Sequence, residues 1–137
     1  MTKSKTQTVS IEIAELVVTR DNASCVCCGR NIAGLERGRD WSIHHRIPRG
    51  MGGSRDPRLS LPANLVVLCG SGTTYCHGFV ERHRTWARER GLLLWRSQEP
   101  DQIAIAVYAG KGDDPRFAAF DLVLLDNFGG RKSVDDA

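Results

Sequence analysis

Residues 61–80 read LPANLVVLCGSGTTYCHGFV, and this stretch decides how the chain is organised. Leu65, Val66, Val67 and Leu68 form a short apolar run that reads as a strand. The run ends on Cys69, and a loop with two glycines, GSGTTY, separates that residue from Cys76. His77 follows at once. From His77 to Arg90 the pattern is helical, with Val80, Arg84 and Ala87 along one face and Gly91 as the stop. A strand, a cysteine-bounded loop and a helix opening on Cys–His therefore stand in direct succession.

Upstream, the sequence CVCCG places Cys25 and Cys28 in a C-x-x-C turn closed by Gly29. That spacing lets two sulfurs reach one metal, and the glycine tolerates the backbone a tight turn needs. Cys69 and Cys76 supply a second pair, whose glycine-containing loop is long but easily folded back. Four thiolates in a tetrahedron describe a closed, structural zinc site with no open position for chemistry. Cys27 is left over and is expected as a free thiol.

Between the cysteine pairs, residues 40–45 (DWSIHH) read as a strand. The connection from 46 to 64, RIPRGMGGSRDPRLSLPAN, holds three glycines and three prolines, and so long an irregular link in a small domain is usually functional. Residues 10–20 read as a helix capped by Ser10, with Ile13, Ala14, Val17 and Val18 at helical spacing; a strand through Val9, Ile11 and Ile13 competes with it. After the helix, residues 92–95, 103–108 and 121–125 read as strands, and 131–137 as a frayed end. The expected organisation is a tail and helix (1–24), a zinc-stapled core (25–91) and a small β extension (92–137).

The chain has 137 residues, 41% of them hydrophobic, enough for one domain that gains from a metal staple. It has no apolar run approaching the roughly 20 residues of a membrane span and no signal-peptide core near its start. No membrane association and a reducing cytoplasm, in which cysteines serve metals before disulfides, are the expectation. Net charge is +3, unevenly spread. Residues 25–90 carry eleven arginines, no lysine and five acids, whereas 91–137 carry five basic and eight acidic residues. Arginine's planar fork suits bidentate phosphate contact, although a solvated basic surface reads the same way.

The four histidines are His44, His45, His77 and His83. Side chains alternate along a strand, so His44 and His45 cannot both face a core. Imidazole serves as metal ligand or general base near neutral pH. Together IHHRIPRGMGGS (43–54), LPANLVVLCGSGTTYCHGFV and CVCCG resemble the HNH endonuclease family, in particular the small zinc-containing HNH proteins of bacterial viruses. The likeness covers about residues 20–90.

That resemblance implies an α+β fold, a ββα-metal finger stapled by the four-cysteine zinc site in a treble-clef-like arrangement. It implies a hydrolase cutting DNA phosphodiester bonds, in the cytoplasm of a bacterial host. His44 and His77 take the positions of metal ligands, His45 that of the general base, and Asn64 that of the central asparagine that braces the loop and aligns the base. In some members a third ligand lies one helical turn after the second. That position here is Glu81, otherwise an ordinary exposed helix acid, and both readings stand. His83, six residues on, points elsewhere. Histidine at position 44 favours Mn²⁺, Ni²⁺ or Zn²⁺ over Mg²⁺ as the catalytic divalent cation. Arg46, Arg49, Arg55 and Arg58 on the loop are candidate phosphate contacts. The rival is a zinc-ribbon DNA-binding or phage packaging-accessory module with a vestigial nuclease site, the acidic end then offering a surface for packaging proteins.

Overall fold

A computed structural model describes residues 9–50, 55–110 and 119–134. The expectations for the N-terminal tail (1–8), for MGGS in the loop (51–54) and for the last three residues lie outside them. The architecture is mixed α+β, with three helices and two small antiparallel sheets among the described residues.

Helix α1 spans Ile11–Arg20, and Ser10 caps it by accepting a hydrogen bond from the Ile13 amide at 3.2 Å. The helix reading of this stretch holds over the strand reading, because the cap and the 3.6-residue spacing act together. Val17 is fully buried against Ile43, Leu65 and Val67. Its end is pinned by a buried ion pair. The Arg20 guanidinium grips Asp21 at 2.9 and 3.0 Å and donates to the carbonyls of Pro62 and Leu65, while Asp21 accepts from the Val67 amide at 3.0 Å.

Strands β1 (Trp41–His45) and β2 (Leu65–Cys69) pair antiparallel, with Trp41 opposite Cys69 and His45 opposite Leu65. Every residue of β2 is buried, which is why its sequence shows no polar alternation. On β1 the period of two is visible. Ile43 turns to the α1 side, whereas Ser42 and His44 both reach His77 on the following helix.

The expected single helix from 77 to 90 is two. Helix α2 is Tyr75–Arg82 and α3 is Arg84–Glu89, broken at His83, whose backbone leaves the helical region at φ −124° and ψ 65°. Val80 and Ala87 are buried as expected, but the break rotates Arg84 out to the surface. Gly91 does stop α3. Its φ is +73°, and a side chain there would collide with the Ala104 carbonyl.

Residues 92–95 form no strand. Leu92, Leu93 and Leu94 are buried, but this segment runs beside the end of β1, giving one amide (Leu94) to the Arg46 carbonyl and one carbonyl (Leu92) to a histidine ring. Strands β3 (Ile105–Tyr108), β4 (Phe120–Leu125) and β5 (Arg131–Ser133) make an antiparallel sheet in that order. Residues 131–133 are thus a strand and not a frayed end, held by pairing of Leu125 with Arg131. Ile105, Val107, Val123 and Leu125 join Cys25, Cys69, Val80 and Ala87 in one buried cluster, so the C-terminal sheet closes over the thiol side. Among the described residues no helix is long and apolar enough to cross a membrane.

Arg46 is the main correction inside the loop. It is fully buried, and its guanidinium donates to the carbonyls of Gly91, Ala63, Pro100 and Ile103 at 2.8–2.9 Å. It ties the exit of β1 to three later segments and, enclosed among them, does not reach a phosphate outside. Burial, helped by the nearby charge of Arg20, presses its pKa down to about 9, so it remains a cation at neutral pH.

Candidate metal centres

Two clusters of metal-ligating side chains flank the β1–β2–α2 unit. In the first, the sulfurs of Cys25, Cys28, Cys69 and Cys76 all lie within 4.8 Å of one another, and those of Cys28 and Cys69 are 3.7 Å apart. A tetrahedron of thiolates with bonds of about 2.3 Å has an edge of about 3.8 Å, so the spacing suits one four-coordinate metal ion. Local geometry makes it possible. Gly70, at φ +88°, packs so closely on the Thr74 carbonyl that no side chain would fit, and Tyr75 adopts φ 50° to swing Cys76 back toward Cys69. The thiols also share protons unevenly. Cys28 is drawn down to about 7, chiefly by Cys25, whereas hydrogen bonding to Cys25 and the surrounding thiols pushes Cys76 up. Cys27 stands outside the four, partly buried, and all five cysteines are free of disulfides.

The second cluster is His44, His77 and Glu81. Their rings and carboxylate meet between the face of β1 and the first turns of α2. The two ring centroids lie 5.1 Å apart, edge to face. Glu81 Oε2 is 3.8 Å from His44 Nδ1 and 3.6 Å from His77 Nε2. Each of the three has a separate partner on its far side. His44 Nε2 donates to the Leu92 carbonyl at 2.6 Å, His77 Nδ1 lies 2.6 Å from Ser42 Oγ, and Glu81 Oε1 accepts from Arg84 at 3.1 Å. Far-side bonds of this kind set the tautomer of a ligating histidine. With Nε2 of His44 carrying the proton, its Nδ1 presents a lone pair toward Glu81.

Burial, with the nearby charges of His77, His45 and Arg46, pushes His44 down to about 3, and burial lowers His77 against the pull of Glu81. Both rings are neutral at pH 7. His44 Nδ1, His77 Nε2 and the Glu81 carboxylate converge as a donor set that fits a divalent cation, which would supply the missing positive charge. Glu81, read from the sequence either as ligand or as ordinary surface acid, is brought into this cluster. His83 is not; it stacks on Phe79 at 3.9 Å and its Nδ1 lies 3.0 Å from the Phe79 carbonyl.

The adjacent histidines diverge as strand alternation requires: His44 is buried and His45 is half-buried at the strand end. Burial, with the charges of Arg49 and His77, lowers His45 to about 4, and its Nε2 is buried without a hydrogen-bond partner. Asn64 is fully buried, and its side chain is spent on the loop backbone rather than on that ring. Its Oδ1 accepts from the Ile47 amide at 2.7 Å, and its Nδ2 donates to the carbonyls of Leu59 and Ile47. Bracing of the loop is what this geometry provides; any influence on His45 passes through the backbone.

The loop arginines separate. Arg46 is interior, as described. Arg58 forks onto Asp56, with contacts of 2.7–3.2 Å, and donates to the carbonyls of Gln98 and Arg96, so it too is committed within the fold. Arg49 lies close enough for its charge to act on His45, and Arg55 is exposed. Sequence reasoning passed over Ser42, Arg84 and the Leu92 carbonyl. Ser42 carried a signal, two residues before His44 and hence on the same strand face; the other two depend on the helix break and on how residue 92 returns to β1. No protein-family model, curated protein or solved structure matches this chain.

Proposed function

We propose that the chain is a metal-dependent DNA endonuclease of the HNH type, its β1–β2–α2 unit a ββα-metal finger and its tetrathiol cluster a structural zinc site. The observation that carries the reading is the meeting of His44 Nδ1, His77 Nε2 and the Glu81 carboxylate beside His45, on a unit stapled by four thiols. That set suits one divalent cation with positions left for substrate oxygen, whereas the tetrathiol set leaves none. A cation on His44, His77 and Glu81 would stabilise charge on a phosphate oxygen and on the departing 3′-oxygen.

The protein's own groups do the rest. His45, kept neutral by burial, accepts the proton of the attacking water. Asn64 holds the backbone at Ile47 and so fixes the direction in which β1 delivers His45. Arg84 and Ser42 keep Glu81 and His77 aimed inward. Arg49, whose charge acts on His45, and the exposed Arg55 would meet the DNA backbone, a contact that gives affinity without base readout.

Supercoiled plasmid incubated with the protein across Mg²⁺, Mn²⁺, Ni²⁺ and Zn²⁺ tests the proposal. Nicked or linear product is expected with at least one metal, and His45→Ala should slow it by a factor of order 10² or more while DNA binding persists. Binding without cleavage under every metal would instead favour a DNA-binding accessory module.

A further inference from the structure

We infer that Ser42 is a positioning residue that sets the tautomer of His77 and ties the cation site to the tetrathiol loop. This rests on the metal-site reading above and deepens it. Ser42 Oγ donates its proton to the Gly70 carbonyl at 2.9 Å, so toward His77 Nδ1, at 2.6 Å, that oxygen acts as acceptor. His77 therefore carries its proton on Nδ1 and turns an unprotonated Nε2 toward Glu81 Oε2, 3.6 Å away.

The geometry extends beyond one bond. Gly70 follows Cys69 and His77 follows Cys76, so the hydroxyl bridges the two ends of the loop whose cysteines belong to the thiol cluster. The backbone makes the same connection, since the Gly70 amide donates to the Asp40 carbonyl at 2.7 Å at the start of β1. A shift of Gly70 on loss of the thiol-bound metal would withdraw the acceptor of the Ser42 proton, and the hydroxyl would be free to turn and donate to Nδ1. The proton of His77 would then move to Nε2, the atom that must bind the cation.

Mn²⁺ is a suitable probe, because a soft thiolate cage discriminates against it while imidazole and carboxylate accept it. Affinity is read from the paramagnetic resonance of free Mn²⁺ on the full chain as purified, with wild type, Ser42→Ala, Ser42→Thr and His77→Ala compared. Loss of an outer partner of a ligating histidine typically weakens metal binding about 10- to 100-fold. Ser42→Ala should show such a loss, Ser42→Thr should restore near-native affinity, and His77→Ala should lose more than Ser42→Ala. In the absence of Mn²⁺, ¹⁵N spectra of the imidazoles should show His77 protonated on Nδ1 in wild type and Ser42→Thr, and shifted toward the Nε2 form in Ser42→Ala. An unchanged tautomer in Ser42→Ala overturns the inference, whatever Mn²⁺ does. Wild type that fails to bind Mn²⁺ while showing the tautomer change overturns the cation site and leaves the role of Ser42 in orienting His77 standing.

Discussion

Replacing Arg46 by methionine separates a fold clamp from a DNA contact. The substitution keeps an apolar stem of similar reach and removes the guanidinium that satisfies the carbonyls of Ala63, Gly91, Pro100 and Ile103. A buried polar group left without its partner costs about 1–3 kcal/mol. Four such groups, taken at the low end, put the loss at about 4 kcal/mol, and release of a desolvated cation offsets part of it. Set against a domain stability of about 5–15 kcal/mol, a net loss of about 3 kcal/mol is expected. Urea unfolding followed by tryptophan fluorescence measures it, since Trp41, Trp86 and Trp95 sit on three separate segments. If the chain binds DNA as proposed, affinity of the folded variant should keep the wild-type dependence on salt. A stability change below about 1 kcal/mol, accompanied by a salt slope flatter by about one, would refute this reading of Arg46 and return it to the proposed DNA interface.

Two further outcomes follow from the described geometry. The purified protein should carry one metal on its four clustered thiols; Cys28→Ser should remove it and lower the melting temperature, whereas Cys27→Ser should leave metal content unchanged, and elemental analysis of the purified variants checks both, equal loss placing Cys27 among the ligands. His44 has a folded pKa of about 3 against an ordinary 6.5, so its contribution to stability is complete above pH 6.5 and is lost as pH falls toward 3. Without added metal, wild type should therefore lose about 1.4 kcal/mol per pH unit more than His44→Gln between pH 6 and 4, read from paired urea titrations; parallel curves would show that His44 is not buried in neutral form.

Much of the chain was legible where local chemistry and tertiary packing agree. The Ser10-capped helix, the apolar run before Cys69, the strand ending in paired histidines and the four cysteines that cluster are all visible in sequence, because caps, periodicity and C-x-x-C spacing act over a few residues. Where packing overrode pattern, the reading departed. Residues 84–90 continue a helical pattern, yet His83 breaks the helix, and Arg84 leaves the expected face shared with Val80 and Ala87 for a bond with Glu81. Residues 92–95 are apolar enough for a strand, but their carbonyl and amide are spent on His44 and Arg46.

The arginines show most plainly what residues alone determine and what they do not. Composition settled that this region is cationic and rich in thiol and imidazole groups, since charge and ligand type belong to each residue separately. Whether a given arginine faces water or four carbonyls, as Arg46 does, depends on segments 17 to 57 residues away folding around it. The same holds for the second site: its ligand types are in the sequence, but the orientation of each ring comes from a serine on a neighbouring strand position and a carbonyl at residue 92. A tautomer is decided by the bond on the far side of the ring, and only the tertiary structure brings that partner within reach.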